Sequence, residues 1–158
     1  MNVAAYRIVK TTRAHAAFTG EAGRRYGGRW NRVGTRMIYT AESRSLAALE
    51  VLAHLEGPAR GFSLIPCEFP ASLIEVIPLR ELPADWRSAP PPRALASIGD
   101  AWVTRGSSAV LAVPSAIIPQ ERNYLLNPAH PEFARVTIRP AEAFPFDERL
   151  ITLPTDRR

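Results

Sequence analysis

The sequence predicts a single α+β domain, on three observations. Hydrophobic residues make up 46% of 158 positions, enough material for one core. Several short runs of β-branched and aromatic residues are interspersed with only two helix-like segments. Fifteen prolines cut the chain into short connections and argue against a long helical bundle. With no internal repeat and no long linker, one domain over 1–158 is expected, its core spanning about 5–145 and a tail 146–158.

The elements follow in order. "VAAYRIV", 3–9, reads as a first strand, with β-formers around Arg7. Residues 11–25 have no clean periodicity and lead into the glycine-rich "GGRWNRVG", 27–34. "RMIYTA", 36–41, is a second short strand. "SRSLAALEVLAHLEGP", 43–58, is the best helix: Ser43 can cap it, good helix formers fill it, and Gly57-Pro58 can stop it. Strands are expected at 62–69 and 72–79, separated by Pro70 and Ala71, then a proline-rich connection over 81–93 and a helix near 93–105. "SAVLAVPS", 108–115, is a buried-strand candidate. "QERNYLLNPAHPEF", 120–133, reads as turns and loop, and "ARVTIRP", 134–140, alternates enough for a last core strand.

Charge and motifs narrow the chemistry. The formal net charge of +5 is uneven: residues 1–60 carry ten Arg or Lys against four Asp or Glu, so an anion is best sought in the first part. No helix-turn-helix, zinc-finger or basic-aromatic repeat signature marks a nucleic-acid binder. The lone Cys67, between apolar neighbours, excludes an internal disulfide and reads as a small buried hydrophobe. No secretory-length apolar stretch opens the chain and no run approaches membrane-spanning length, which points to the cytoplasm. "GEAGRRYGG" lacks the spacing of a dinucleotide fingerprint, and no Gly-Lys-Ser/Thr marks a phosphate-binding P-loop. His15, His54 and His130 are too scattered to suggest a metal site, and no G-x-S-x-G surrounds Ser115.

Polar residues in apolar contexts are the remaining signal. Arg7 sits inside a strand and Tyr39 at the end of the next. Glu50 lies about 40° from Leu46 on a helical wheel, with Leu49 and Ala53 on the other side of Leu46, so it borders the expected buried stripe, where a carboxylate needs a partner or a water-filled cleft. Each has an ordinary reading: a surface strand residue, a core tyrosine, a boundary carboxylate, a solvated turn arginine at Arg29, a capping serine at Ser115. As a set they are chemically coherent. Gly27 and Gly28 allow close backbone approach, Arg29 offers a planar fork suited to phosphate, Tyr39 a ring and hydroxyl, and Glu50 a carboxylate that can face developing positive charge. These are components for gripping a dinucleotide by its diphosphate while its glycosidic carbon is attacked.

The ordered stretches "YRI" 6–8, "GGRWN" 27–31, "YTAESRSLAALE" 39–50 and "VPSAIIPQERNYLLNPAHPEF" 113–133, with Trp102 before Gly106, resemble the RES domain family over about 5–145. The resemblance implies an ADP-ribosyltransferase-like mixed β core with flanking helices and a toxin of a bacterial toxin-antitoxin pair. Such a toxin depletes NAD by cleaving the nicotinamide-ribose bond, as an NAD phosphorylase with inorganic phosphate as acceptor or as a glycohydrolase using water. NAD is then substrate and no resident cofactor is implied. The implied partner is an Xre-type helix-turn-helix antitoxin that blocks the cleft and supplies any DNA contact, and the family also admits a homodimer. Carried onto matching positions, Arg7, Tyr39, Glu50 and Ser115 form the catalytic set. Arg29, Arg7, Tyr39 and Gly28, with Asn123 of the segment leading into "NPAHP", form the NAD-binding set. Transfer of ADP-ribose to a macromolecule and a purely protein-binding role are the alternatives left open.

Overall fold

The computed structural model describes residues 1–151, and residues 152–158 of the expected tail lie outside the described residues. Eight strands form one mixed sheet: β1 Asn2–Lys10, β2 Ile38–Ala41, β3 Phe62–Pro70, β4 Ile74–Val76, β5 Val110–Pro114, β6 Arg122–Leu126, β7 Thr137–Ile138 and β8 Glu142–Ala143. Their order is β4-β5-β6-β2-β1-β3-β7, with β8 also on β3, and all pairs are antiparallel except β4 with β5. Three α-helices flank it, α1 Glu21–Tyr26, α2 Arg44–Ala53 and α3 Arg93–Arg105. The parallel β4/β5 pair needs a crossover, and α3 supplies it.

The strongest pairing lies between β1 and β3, which stay in register over nine residues from Asn2↔Pro70 to Lys10↔Phe62. The weakest lies between β1 and β2, which share only Tyr6↔Ala41. The sheet therefore opens in its middle. Backbone groups released by that divergence need partners, and one of them, the carbonyl of Tyr39, accepts from Arg7 Nη1 at 2.8 Å. A guanidinium takes the place of a strand neighbour there.

Both longer helices follow their residue patterns. Ser43 caps α2, its hydroxyl accepting from the Leu46 amide at 3.0 Å, and Leu46 and Ala47 pack among Ile8, Phe62, Leu64 and Phe146. In α3, Leu95, Gly99 and Trp102 recur at helical spacing and are all buried, against Trp30, Met37, Leu111 and Leu125. Gly106, at φ 61°, ends the helix in the left-handed conformation.

Four expectations require correction. The stretch 120–133 is not loop: β6 occupies its middle, between β5 and β2, with Tyr124, Leu125 and Leu126 buried. A strand covered on both faces shows no alternation, and so short an apolar run among Asn and Pro carries little pattern. The stretch 134–140 holds only the two-residue edge strand β7, its residues exposed; the alternation was that of an edge, and not of a core strand. Helix α2 ends at Ala53, short of Gly57-Pro58. The strand expected over 72–79 shrinks to three residues after a short 3-10 turn, Ala71–Leu73. The expected tail, by contrast, starts inside the core, where Phe146 is 8% exposed and packs edge-on against Phe62 with centroids 5.4 Å apart. Cys67 is fully buried. No helix among the described residues is long and apolar enough to cross a membrane.

Candidate functional site

The opening between β1 and β2 is a cleft of about 570 Å3. β1 contributes Tyr6, Arg7 and Ile8; β2 contributes Tyr39, Thr40 and Ala41. α2 closes one side with Ala47, Glu50 and His54, and the glycine-rich elbow enters from another with Gly28 and Arg29. Asn123 of β6 lies on the wall as well. Six of the seven expected residues thus meet at one cavity: Arg7, Gly28, Arg29, Tyr39, Glu50 and Asn123. The seventh, Ser115, is completely buried and reaches the site through Glu50.

Glu50 stands one helical turn beyond Leu46 and Ala47, on the same face. The earlier turn is buried and Glu50 is only half-buried, because the sheet beneath it has opened. Ser115 Oγ donates to Glu50 Oε1 at 3.3 Å and accepts from the amides of Ile117 and Ile118, each at 3.1 Å. The hydroxyl's one proton and both lone pairs are committed, so Ser115 fixes a carboxylate oxygen and has no free donor for a ligand.

Arg7 is part-buried as a residue, yet its Nε is sealed from solvent and has no hydrogen-bond partner. Burial pushes its pKa down to about 10, opposed by the Tyr39 and Cys67 side chains, which leaves it cationic at neutral pH. Arg29 is fixed by the proline-rich connection, Nη1 donating to the carbonyls of Trp86 at 3.0 Å and Ser88 at 3.1 Å. Partial burial lowers its pKa, while the charge of Glu50 and then the Tyr39 hydroxyl pull it back up. Two cations and one carboxylate therefore face a shared space.

The elbow is built around the Tyr39 hydroxyl, which donates to Asn31 Oδ1 at 2.6 Å and accepts from the Trp30 amide at 3.0 Å. Asn31, 2% exposed, spends its amide on the carbonyls of Gly23, Arg32 and Thr35. Burial drives the Tyr39 pKa upward, with the Trp30 amide opposing it, so the hydroxyl stays neutral. Gly28 has to be glycine because an added Cβ would lie 2.6 Å from the Tyr39 hydroxyl and 2.9 Å from Cζ. Trp30 is 2% exposed and anchors the elbow in the core, leaving its ring no role in stacking on a ligand. Tyr39→Phe removes both hydrogen bonds but keeps the ring, leaving two buried groups unmet. Urea unfolding is expected to show a loss of about 1–3 kcal/mol.

Sequence reasoning missed Asn31, the Trp86 and Ser88 carbonyls, and His54 on the cleft wall. A polar residue between Trp30 and Arg32 could have flagged Asn31. Backbone carbonyls have no sequence signature, and His54 could be placed only once the end of α2 was known. Asn123 Nδ2 donates to the Thr40 carbonyl at 3.2 Å, so its expected place beside the site has a structural tether.

Residues 4–147 match the RES domain family. "Toxin Res" of Yersinia enterocolitica is 40% identical over 149 residues, covering 92% of this chain and 97% of the relative. "Prs ADP-ribosylating toxin" of a Sphingobium species is 35% identical over 158 residues, covering 96% and 98% respectively. In fold, the chain is similar to one in the crystal structure of the M. tuberculosis MbcT-MbcA toxin-antitoxin complex, with a TM-score of 0.70, 21% identity, and 90% and 84% of the two chains covered. That family match over nearly the whole described chain, together with the curled mixed sheet and the polar residues gathered at its opening, establishes that the chain belongs to the RES domain family.

Proposed function

We propose that the protein is the toxin of a toxin-antitoxin pair and that it consumes NAD in the cleft between β1 and β2. The observation that carries this reading is the convergence of Arg7, Arg29 and Glu50 on one cavity of about 570 Å3. Arg29, held by two carbonyls through Nη1 and lining the cleft, keeps its remaining donors for the diphosphate. Gly28 lets the elbow backbone come close. Tyr39 supports the elbow and lends its ring to the wall.

The bond between nicotinamide nitrogen and ribose C1' breaks with its electron pair going to nicotinamide, which leaves neutral and needs little acid assistance. Positive charge gathers on the ribose, and Glu50 lies where a fixed carboxylate can stabilise it. Inorganic phosphate attacks that same ribose carbon, numbered C1'' in the product, giving ADP-ribose 1''-phosphate and nicotinamide. Arg7, cationic and short of a partner at Nε, is the residue assigned to that second anion. Ser115 serves by holding Glu50. An Xre-type helix-turn-helix antitoxin would occlude this cleft and carry any DNA contact; a cytoplasmic location and a homodimer belong to the same reading.

Transfer of ADP-ribose to a macromolecule is the second reading, favoured by the name of the Sphingobium relative, an ADP-ribosylating toxin. Chromatography of NAD products with and without phosphate decides among the acceptors. Phosphorolysis yields ADP-ribose 1''-phosphate in proportion to phosphate; free ADP-ribose insensitive to phosphate would assign water, and adenine label in protein or nucleic acid would assign a macromolecule. Intact NAD under all conditions would end the enzymatic reading. Within it, Arg29→Ala is expected to raise the KM for NAD by about 10–100-fold, the value of a charge-assisted hydrogen bond, with a smaller effect on kcat in initial-rate measurements.

A further inference from the structure

Arg7 borders a second cavity as well as the cleft. This recess, of about 350 Å3, lies against the 3-10 turn Thr11–Ala16 and helix α1, and Lys10, Arg13, Arg25 and His15 line it with Arg7. Its one carboxylate, Glu21, accepts from Arg24 Nε at 2.9 Å, lies 4.0 Å from Arg36 and also feels the charge of Arg25. Lys10 Nζ is held by neutral groups, donating to the Arg60 carbonyl at 2.9 Å and sitting 4.3 Å above the Phe62 ring. Among the described residues, Arg13 and Arg25 have no ion-pair partner. Arg13 is therefore uncompensated, and Arg25 is offset only by the more distant charge of Glu21 and by the Tyr26 ring, 5.6 Å away.

The buried Nε of Arg7 is an independent observation that points the same way. A guanidinium N–H enclosed without a partner is costly, and protein interiors seldom leave one so. Arg7 is tethered by one hydrogen bond, from Nη1 to the Tyr39 carbonyl, so the guanidinium has to turn about that tether for the sealed Nε to meet an anion. A small, half-open pocket rimmed by several cations suits a small tetrahedral anion, and is too small for a nucleic-acid duplex.

We propose that this recess is a second oxyanion site, taking a phosphate dianion, with Arg7 as the cation it shares with the cleft. Arg13 and Arg25 hold the anion at the rim and Lys10 adds charge from β1. The phosphate has two sources of identical chemistry: free inorganic phosphate waiting beside the reaction centre, or a phosphoryl group carried by the dinucleotide. The choice between sources rests on the NAD-consuming reading above, whereas the oxyanion site itself does not.

The test uses the full chain carrying Glu50→Gln, which is expected to slow the proposed turnover at least about a hundred-fold, so that binding is read with little product formation. Its thermal midpoint is followed while phosphate replaces chloride at constant ionic strength, because a ligand bound only by the folded state raises the midpoint saturably. Phosphate is expected to raise it, and adding Arg13→Ala with Arg25→Ala is expected to weaken the apparent affinity at least ten-fold. Arg13→Lys with Arg25→Lys should keep most of the response, and Arg80→Ala, a change at an exposed arginine outside the recess, should keep all of it. NAD added at saturation distinguishes the sources: a response that survives assigns free phosphate, and one that NAD abolishes in the Arg13/Arg25 parent assigns the dinucleotide's own phosphoryl group. Equal midpoints in phosphate and chloride would overturn the proposal, as would an unchanged phosphate response in the double alanine variant. Failure of the enzymatic reading would show separately, as intact NAD with the unsubstituted protein.

Discussion

Glu50→Gln is expected to cut the rate of NAD loss by about 10²–10³-fold, the effect of deleting one preorganised electrostatic contact at a reacting centre. The substitution conserves size and keeps an oxygen for the Ser115 hydroxyl, now 3.3 Å from Oε1. The fold should therefore persist, with a circular dichroism spectrum and thermal midpoint close to those of the parent. What changes is charge: the amide offers nothing comparable to a cationic ribose, and Arg29 loses the carboxylate that offsets its burial. Because the carboxylate acts on the transition state, kcat should fall while the KM for NAD moves little. Turnover at the parental rate in purified Glu50→Gln protein would remove Glu50 from the mechanism.

Gly99→Ala should have the largest effect on stability of any single-methyl addition in α3. Helix propensity by itself favours the change by about 1 kcal/mol. The packing opposes it. A Cβ at position 99 would overlap the carbonyl oxygen of Trp30, lie 2.8 Å from that carbonyl carbon and sit 3.2 Å from Met37 Cε. The obstacle is backbone, which cannot swing aside as a side chain would, so either α3 or the elbow has to shift. Overpacking of this kind costs about 1–3 kcal/mol or more, and at roughly 2–4 °C per kcal/mol in a chain of this size the midpoint should drop by several degrees. The displaced segment carries Arg29 next to Trp30, so the KM for NAD should rise in the same variant. A midpoint at or above the parent's would show that the elbow yields freely, and that α3 does not fix its position.

Gly99 also shows where sequence reading loses its purchase. Inside "RALASIGDAWVTR" it is only a weak helix residue; its meaning comes from the Trp30 carbonyl sixty-nine positions earlier in the chain. The start of α2 with its cap poses the opposite case. Ser43, Leu46 and Glu50 gave their cap, buried stripe and border carboxylate from local spacing alone, and the structure places each accordingly, whereas Leu49 and Ala53, expected beside Leu46, are exposed and Ala47 is buried instead. β6 was hidden because its buried part, residues 124–126, is flanked by β5 and β2 and covered on both faces, so that it has no polar side to produce alternation.

The elements with a one-sided environment were determined by the sequence alone: β1, the start of α2, the whole of α3, the buried Cys67 and the identity of the polar residues that needed an explanation. Their signals are periodicity, capping and the cost of polar groups among apolar ones, all of which act over a few residues. Tertiary structure alone decided that β1 and β2 touch at a single pair, that Arg7 and Glu50 face one another's cavity as a result, and that Ser115 serves Glu50 from behind. Those facts depend on which distant strands compete for the same backbone groups, and the energy that settles such a competition is not local to any stretch of the chain.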